Sequence, residues 1–334
     1  MSQFADAAGV GPRVTPPEGQ EPRRAAAERR SSGRQRRADA RTGLALIAPT
    51  LIIVIVMVVL PILWTFSMAF QRIRLINLRS AGIIGDYTLN NFIGIFTSSS
   101  FWTSLVTTLV YSVFGTASAI GLGLVAALAL RKPFRGRTFV RAAMLLPYVA
   151  PVVAATFAWS TMLNPQFGIV NYWGVQLLGW DEPIPFLSQA TGQFGLPTAL
   201  ITVILFEAWR SFPFAFLFLT ARLQAVPGTL EEAAHVDGAT TTQRFAYVVL
   251  PQLLPTIAVL SVLRFIWTFN SFDDIYLLTG GGAGTEVVSV RVFNALTARG
   301  DIGAASAQAL VLAVILAVLV ILYLRRFRTQ EEVA

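Results

Sequence analysis

Apolar residues run in long blocks along this chain, and the polar residues gather between the blocks instead of alternating within them. A helix crossing a hydrocarbon core of about 30 Å needs roughly 20 residues at about 1.5 Å each, so apolar runs of that length with few charges mark candidate spans. Six runs qualify, at approximately 44–70, 101–130, 138–163, 197–221, 247–272 and 302–324. The expected fold class is therefore all-α, an integral membrane protein with six transmembrane helices. No alternation of period two argues for a β-barrel.

Composition agrees. With 54% hydrophobic and only 13% charged residues in 334, the chain is too apolar for an ordinary soluble domain. The net charge of +8 could suggest nucleic acid, but the basic residues cluster at the ends of apolar runs. Nine arginines precede residue 44, five basic residues fill 131–141, Arg222 and Arg244 flank the fourth connection, and Arg325, Arg326 and Arg328 close the chain. The remaining connections hold only Arg72, Arg74, Arg79, Arg291 and Arg299. This bias places both termini in the cytoplasm, with the three arginines of the first outside loop as its weak point. Residues 1–43 and 328–334 read as cytoplasmic tails around a transmembrane domain at 44–327; the first, rich in Arg, Ala, Pro, Gly and Ser, is expected to be disordered. Its charge suits anionic lipid, although a solvated tail that only fixes orientation needs no such contact. An apolar run that is long and starts about forty residues in does not fit a cleaved signal peptide. The absence of cysteine and the single histidine, His235, leave no thiolate or histidine-rich metal centre.

Between the fourth and fifth runs lies PGTLEEAAHVDGATTTQRFAYVVLPQLLP, residues 227–255, which reads as two helices joined by a sharp turn. Thr229 with Glu232 forms a capping-box pattern for a short helix, and Gly238 suits the left-handed residue that ends it. Thr240 with Gln243 forms a second box, opening a helix that continues into the fifth span and is expected to kink at Pro251 and Pro255. The short helix is too polar to span, and Ala233 and Ala234 give it a low surface that another protein can approach. A capped interhelical loop would explain Thr229 and Gly238, but not the whole spacing.

That spacing strongly resembles the loop shared by permeases of binding-protein-dependent ABC importers: Glu-Ala-Ala, three residues, Gly, nine residues, Ile, any residue, Leu-Pro. Glu232, Ala233, Ala234, Gly238, Leu250 and Pro251 fall in register, with Val248 in place of the usual Ile. The resemblance implies that 227–251 is a cytoplasmic coupling loop whose helix sits in a groove of an ATPase subunit. Glu231, Glu232 and Asp237 then predict a basic or helix-N-terminal surface on that partner. The stretches LLPYVAPVVAATFAWSTMLNPQFGIVN (145–171) and FNSFDDIYLLTGGGAGTEV (269–287) are similar to carbohydrate-type permeases, in particular the maltose-type first subunit. Members of that group carry oligosaccharides, disaccharides, polyols or glycerol phosphates.

Charges inside spans are costly and mark pathways or structural pairs. Glu207 and Arg210, one turn apart on the fourth span, and Arg264 in the fifth are placed to pair across a cavity. Trp159, Trp209, Phe212, Trp267 and Asn270 supply aromatic faces and an amide suited to sugar rings, although aromatics at that depth ordinarily pack. Asp273 and Asp274, at the outer end of the fifth span, read first as helix-end or loop contacts and second as sugar ligands. Pro147, Pro151 and Pro213 are expected to kink their spans.

No Gly-rich phosphate loop occurs in the chain, so ATP and Mg²⁺ are expected in a separate ATPase and no cofactor or catalytic residue in this one. The resemblance implies a second permease, an ATPase dimer and an extracytoplasmic binding protein as partners, in a bacterial plasma membrane. The rival reading is an ion-coupled secondary transporter with Glu207 as coupling carboxylate, which leaves the loop pattern unexplained.

Overall fold

A computed structural model describes residues 46–80, 85–192 and 195–331. The segment 1–43, read above as a disordered tail, lies outside the described residues, as does 332–334. Among the described residues the chain is helical, with two isolated antiparallel bridges, Gln71 to Tyr87 and Arg74 to Asp301. The helices that carry the argument are α1 (Leu46–Ala69), α2 (Asn90–Phe96), α3 (Ser99–Ala129), α4 (Arg137–Val149), α5 (Val152–Met162) and α6 (Ile169–Leu178). They continue with α7 (Thr198–Ala225), α8 (Gly228–Val236), α9 (Thr241–Phe269), α10 (Asp273–Thr279), α11 (Val288–Thr297) and α12 (Ile302–Glu331).

Five of these, α1, α3, α7, α9 and α12, are long and apolar enough to cross a membrane. The remaining expected span, 138–163, is not one straight rod but the pair α4 and α5, bent by 97° at a short break. Pro151 explains the bend, because it has no N–H for the helix ladder and forces the residue before it out of the helical region. Ala150 and Pro151 accordingly take ψ of 136° and 130°. Pro213, by contrast, lies inside α7, which runs on through it to Ala225. In α9 a π-helical stretch, Phe245–Val249, precedes Pro251 and shifts the hydrogen-bond register where proline has no N–H to give.

The described residues fall into two units, 46–64 and those from Thr65 onward. In the first, residues 46–64 of α1 are apolar on all sides and none of them is buried, as a lipid-facing helix requires. In the second, α3 and α7 form the centre. Gly115 faces Glu207 and Gly123 faces Ala215, eight residues further along each helix, so the two run parallel. Their approach is close: a Cβ on Gly123 would lie 2.7 Å from Ala215 Cβ and 2.8 Å from the Phe216 nitrogen. Small residues permit such contact where lipid tails remove any hydrophobic drive between helices. α9 packs antiparallel against both through Leu253 and Leu260, and Tyr323 on α12 donates to the Ala258 carbonyl at 3.1 Å.

Gly123→Val should cost about 1–3 kcal/mol by overpacking this contact, seen as a lower unfolding temperature in detergent. Gly121→Ala, whose new methyl would meet nothing within 4 Å, should leave that temperature unchanged.

Candidate functional site

The segment after α7 folds as two helices with a sharp turn. Val226 and Pro227, with ψ of 122° and 127°, end α7 and start α8. Pro227 is the N-cap and no side chain caps the helix, so Thr229 and Glu232 do not form the expected box. The helix begins earlier than that pattern assumes, which leaves Thr229 inside the first turn. At the other end Gly238 has φ +82°, its N–H donates to the His235 carbonyl at 3.1 Å, and the Ala239 N–H donates to the Ala234 carbonyl at 2.9 Å. That is a Schellman ending. No atom lies within 4 Å of a Gly238 Cβ, so backbone conformation and not space reserves the position for glycine. The second box is present: Gln243 N–H donates to Thr240 Oγ1 at 3.3 Å, and Thr240 N–H donates to Gln243 Oε1 at 2.8 Å.

α8 turns Glu232, Ala233, His235 and Val236 outward, with Asp237 and Gly238 exposed just beyond it. Ala234 is half-buried, and on α9 Leu250 is half-buried and Pro251 exposed. Glu231 faces its own chain, where both of its oxygens accept from the guanidinium of Arg131, just beyond α3, Nη1 at 2.9 Å from Oε2. The sequence placed Arg131 only within a basic loop, and no periodicity pointed it at Glu231.

A second constellation lies in the half of the bundle remote from α8. Glu207 of α7 accepts through Oε1 from Arg264 Nη2 of α9, from Ser211 Oγ at 3.0 Å and from Thr268 Oγ1 at 3.2 Å. Arg210 Nη2 lies 3.7 Å from Glu207 Oε2 and donates to Asp274 Oδ2 of α10 at 3.0 Å. Tyr111 of α3 donates to the same Asp274 oxygen at 3.4 Å. Two carboxylates thus balance two guanidiniums. Glu207, Arg264 and Asp274 are buried, and only Arg210 keeps part of its side chain open. Glu207 Oε2 and Asp274 Oδ1 are both buried within the cluster.

The predicted companions separate into two groups. Trp159 packs on Phe206 and Trp209 at centroid distances of 5.3 and 5.5 Å, and Trp267 lies 5.7 Å from the Arg264 guanidinium carbon. Phe212 belongs to the apolar packing around Leu219 and Leu253 instead. Asn270 is exposed with its amide donating to the Ile266 carbonyl at 2.8 Å, and Asp273 is exposed, unlike its neighbour Asp274. Tyr111, Ser211 and Thr268 were missed, because hydroxyls inside a span ordinarily bond their own helix.

Glu207→Gln leaves Arg264 buried beside a neutral amide and should cost about 3–5 kcal/mol, measured by thermal unfolding in detergent. The double variant Glu207→Leu, Arg264→Met should recover most of that loss, since it removes both buried charges.

Residues 119–328 match the family described as the inner membrane component of binding-protein-dependent transport systems. The inner membrane ABC transporter permease protein YcjO of Escherichia coli K12 is 34% identical over 290 residues, covering 87% of this chain and 95% of the relative. The trehalose/maltose transport system permease protein MalF of Thermococcus litoralis is 34% identical over 295 residues, with the same shares covered. A chain in the crystal structure of a bacterial alginate ABC transporter, bound to its alginate-loaded periplasmic protein, shares the fold at TM-score 0.73 and 23% identity, covering 86% of this chain and 94% of that one. The chain therefore belongs to the family of inner-membrane permease components of binding-protein-dependent transport systems.

Proposed function

We propose that this chain is one of two permease subunits that import a sugar or sugar-like solute, an oligosaccharide, disaccharide, polyol or glycerol phosphate. A separate ATPase dimer drives it through α8, and an extracytoplasmic binding protein supplies the solute. The observation that carries the reading is α8 itself, a short helix set apart by Pro227 and a Schellman turn, with Glu232, Ala233 and Val236 facing away from the bundle. A helix with no core to complete presents that face to something else. The family assignment supports an ATP-driven importer, and the trehalose/maltose relative supports the solute class.

Orientation follows from charge. Arg131, Lys132, Arg135, Arg137 and Arg141 gather beside the end of α3 that leads to Glu231, so this end belongs to the cytoplasm. Both termini then lie on the same side, and ATP and Mg²⁺ belong to the partner. The charged cluster with Trp159, Trp209 and Trp267 is the proposed solute path. Its half-open Arg210 guanidinium suits hydroxyl oxygens, and its aromatic faces suit sugar rings. Ion coupling through Glu207 is disfavoured, because Arg264 and Arg210 already neutralise that carboxylate.

An ATPase should co-purify with the wild-type chain from its native membrane and be lost when residues 232–238 are scrambled. If neither form brings down an ATPase, the ion-coupled reading replaces this one. Within the assembled complex, Gly238→Val should uncouple ATP hydrolysis from solute uptake without affecting membrane insertion, whereas Gly238→Asn, which tolerates the left-handed region, should retain most coupling. Equal coupling in both variants would remove the turn from the account.

A further inference from the structure

α8 is joined to α7 and α9 by turns and not by continuous helix. Upstream the chain is extended at Val226 and Pro227, and downstream it passes the left-handed Gly238 and then the π-helical Phe245–Val249. The contact with α3 is of another kind. Arg131 and Glu231 meet as a two-pronged fork, the geometry in which a guanidinium fixes both position and direction of a carboxylate. The base of the fork is itself held. Arg137 donates to the Leu130 carbonyl at 2.8 Å and to the Arg131 carbonyl at 2.9 Å, and Arg141 donates to the Leu130 carbonyl at 3.3 Å. From there α3 is a single helix of 31 residues without proline. About 30 Å along it, at 1.5 Å per residue, Tyr111 bonds Asp274, and Gly115 packs against Glu207 on the way. The two fork side chains keep 32% and 23% of their surface exposed, so neither needs the other to escape burial as an unpaired charge.

We propose that the Arg131–Glu231 fork is a strut through which α8 moves α3, so that closure of the partner ATPase reaches the buried charge cluster along α3. This rests on the reading of α8 as the ATPase-docking helix. It divides the acidic residues of the loop: Glu231 serves this chain as a positioning residue, and Glu232 and Asp237 remain for the partner.

The chain contains no cysteine, so single cysteines at Val106 on α3 and Val314 on α12, both exposed, can carry spin labels in the purified complex. The distance between the labels is measured without nucleotide and with Mg-ATP and vanadate. In the otherwise wild-type chain the distance should change with nucleotide. Arg131→Gln should still co-purify with the ATPase and hydrolyse ATP but lose that change, and the swap Arg131→Glu, Glu231→Arg should restore it. The strut is overturned if Arg131→Gln keeps the full change, or if the swap fails to restore it and releases the ATPase, which would make Glu231 a partner contact. Absence of an ATPase from the wild-type preparation overturns the docking reading instead, and the strut with it.

Discussion

A charge buried among apolar helices persists only with its opposite within reach, and this chain keeps two of each sign in one place. Glu207 answers Arg264, Asp274 answers Arg210, and Arg210 also approaches Glu207. Because the partners come from α7, α9 and α10, with Tyr111 reaching in from α3, satisfying the charges requires four helices to meet at one level. Apolar packing alone does not impose that register, since lipid tails solvate leucine as well as another leucine does. The small residues complete the constraint: Gly115 leaves room for the Glu207 side chain, and Gly123 lets α3 and α7 approach further down.

The bundle thus has two chemically different ends of one rod. At the remote end α3 touches the charge cluster through Tyr111. At the other end the carbonyls of Leu130 and Arg131 are capped by arginines, and Arg131 grips the short helix that faces outward. Local backbone chemistry keeps α8 distinct. Pro227 starts it, Gly238 ends it, and the Thr240 box launches α9 at a new angle.

Much of this was legible from residue order. Five spans followed from the length of apolar runs, and the Glu232 to Pro251 spacing pointed to the permease family. Gly238 was readable as left-handed because few other residues tolerate that conformation. The Thr229 box was not, because Thr229 and Glu232 have the right spacing wherever the helix begins, and Pro227 moved the start. Pro151 was read as a kink, but how far α4 and α5 would turn depends on packing. Asp273 and Asp274 are adjacent in sequence yet opposite in fate, since only the phase of α10 decides which faces Arg210. The Arg131–Glu231 fork joins residues a hundred positions apart, and nothing local encodes such a contact.

This permease is proposed to work only as part of an ATP-driven sugar importer. The direct measurement is uptake of radiolabelled trehalose and maltose into proteoliposomes holding the complete complex purified from its native membrane, with its binding protein outside. The account predicts uptake of at least one of these sugars that requires enclosed Mg-ATP and persists when protonophore and sodium ionophore collapse the ion gradients. Uptake that proceeds without ATP and disappears when those gradients collapse would contradict it.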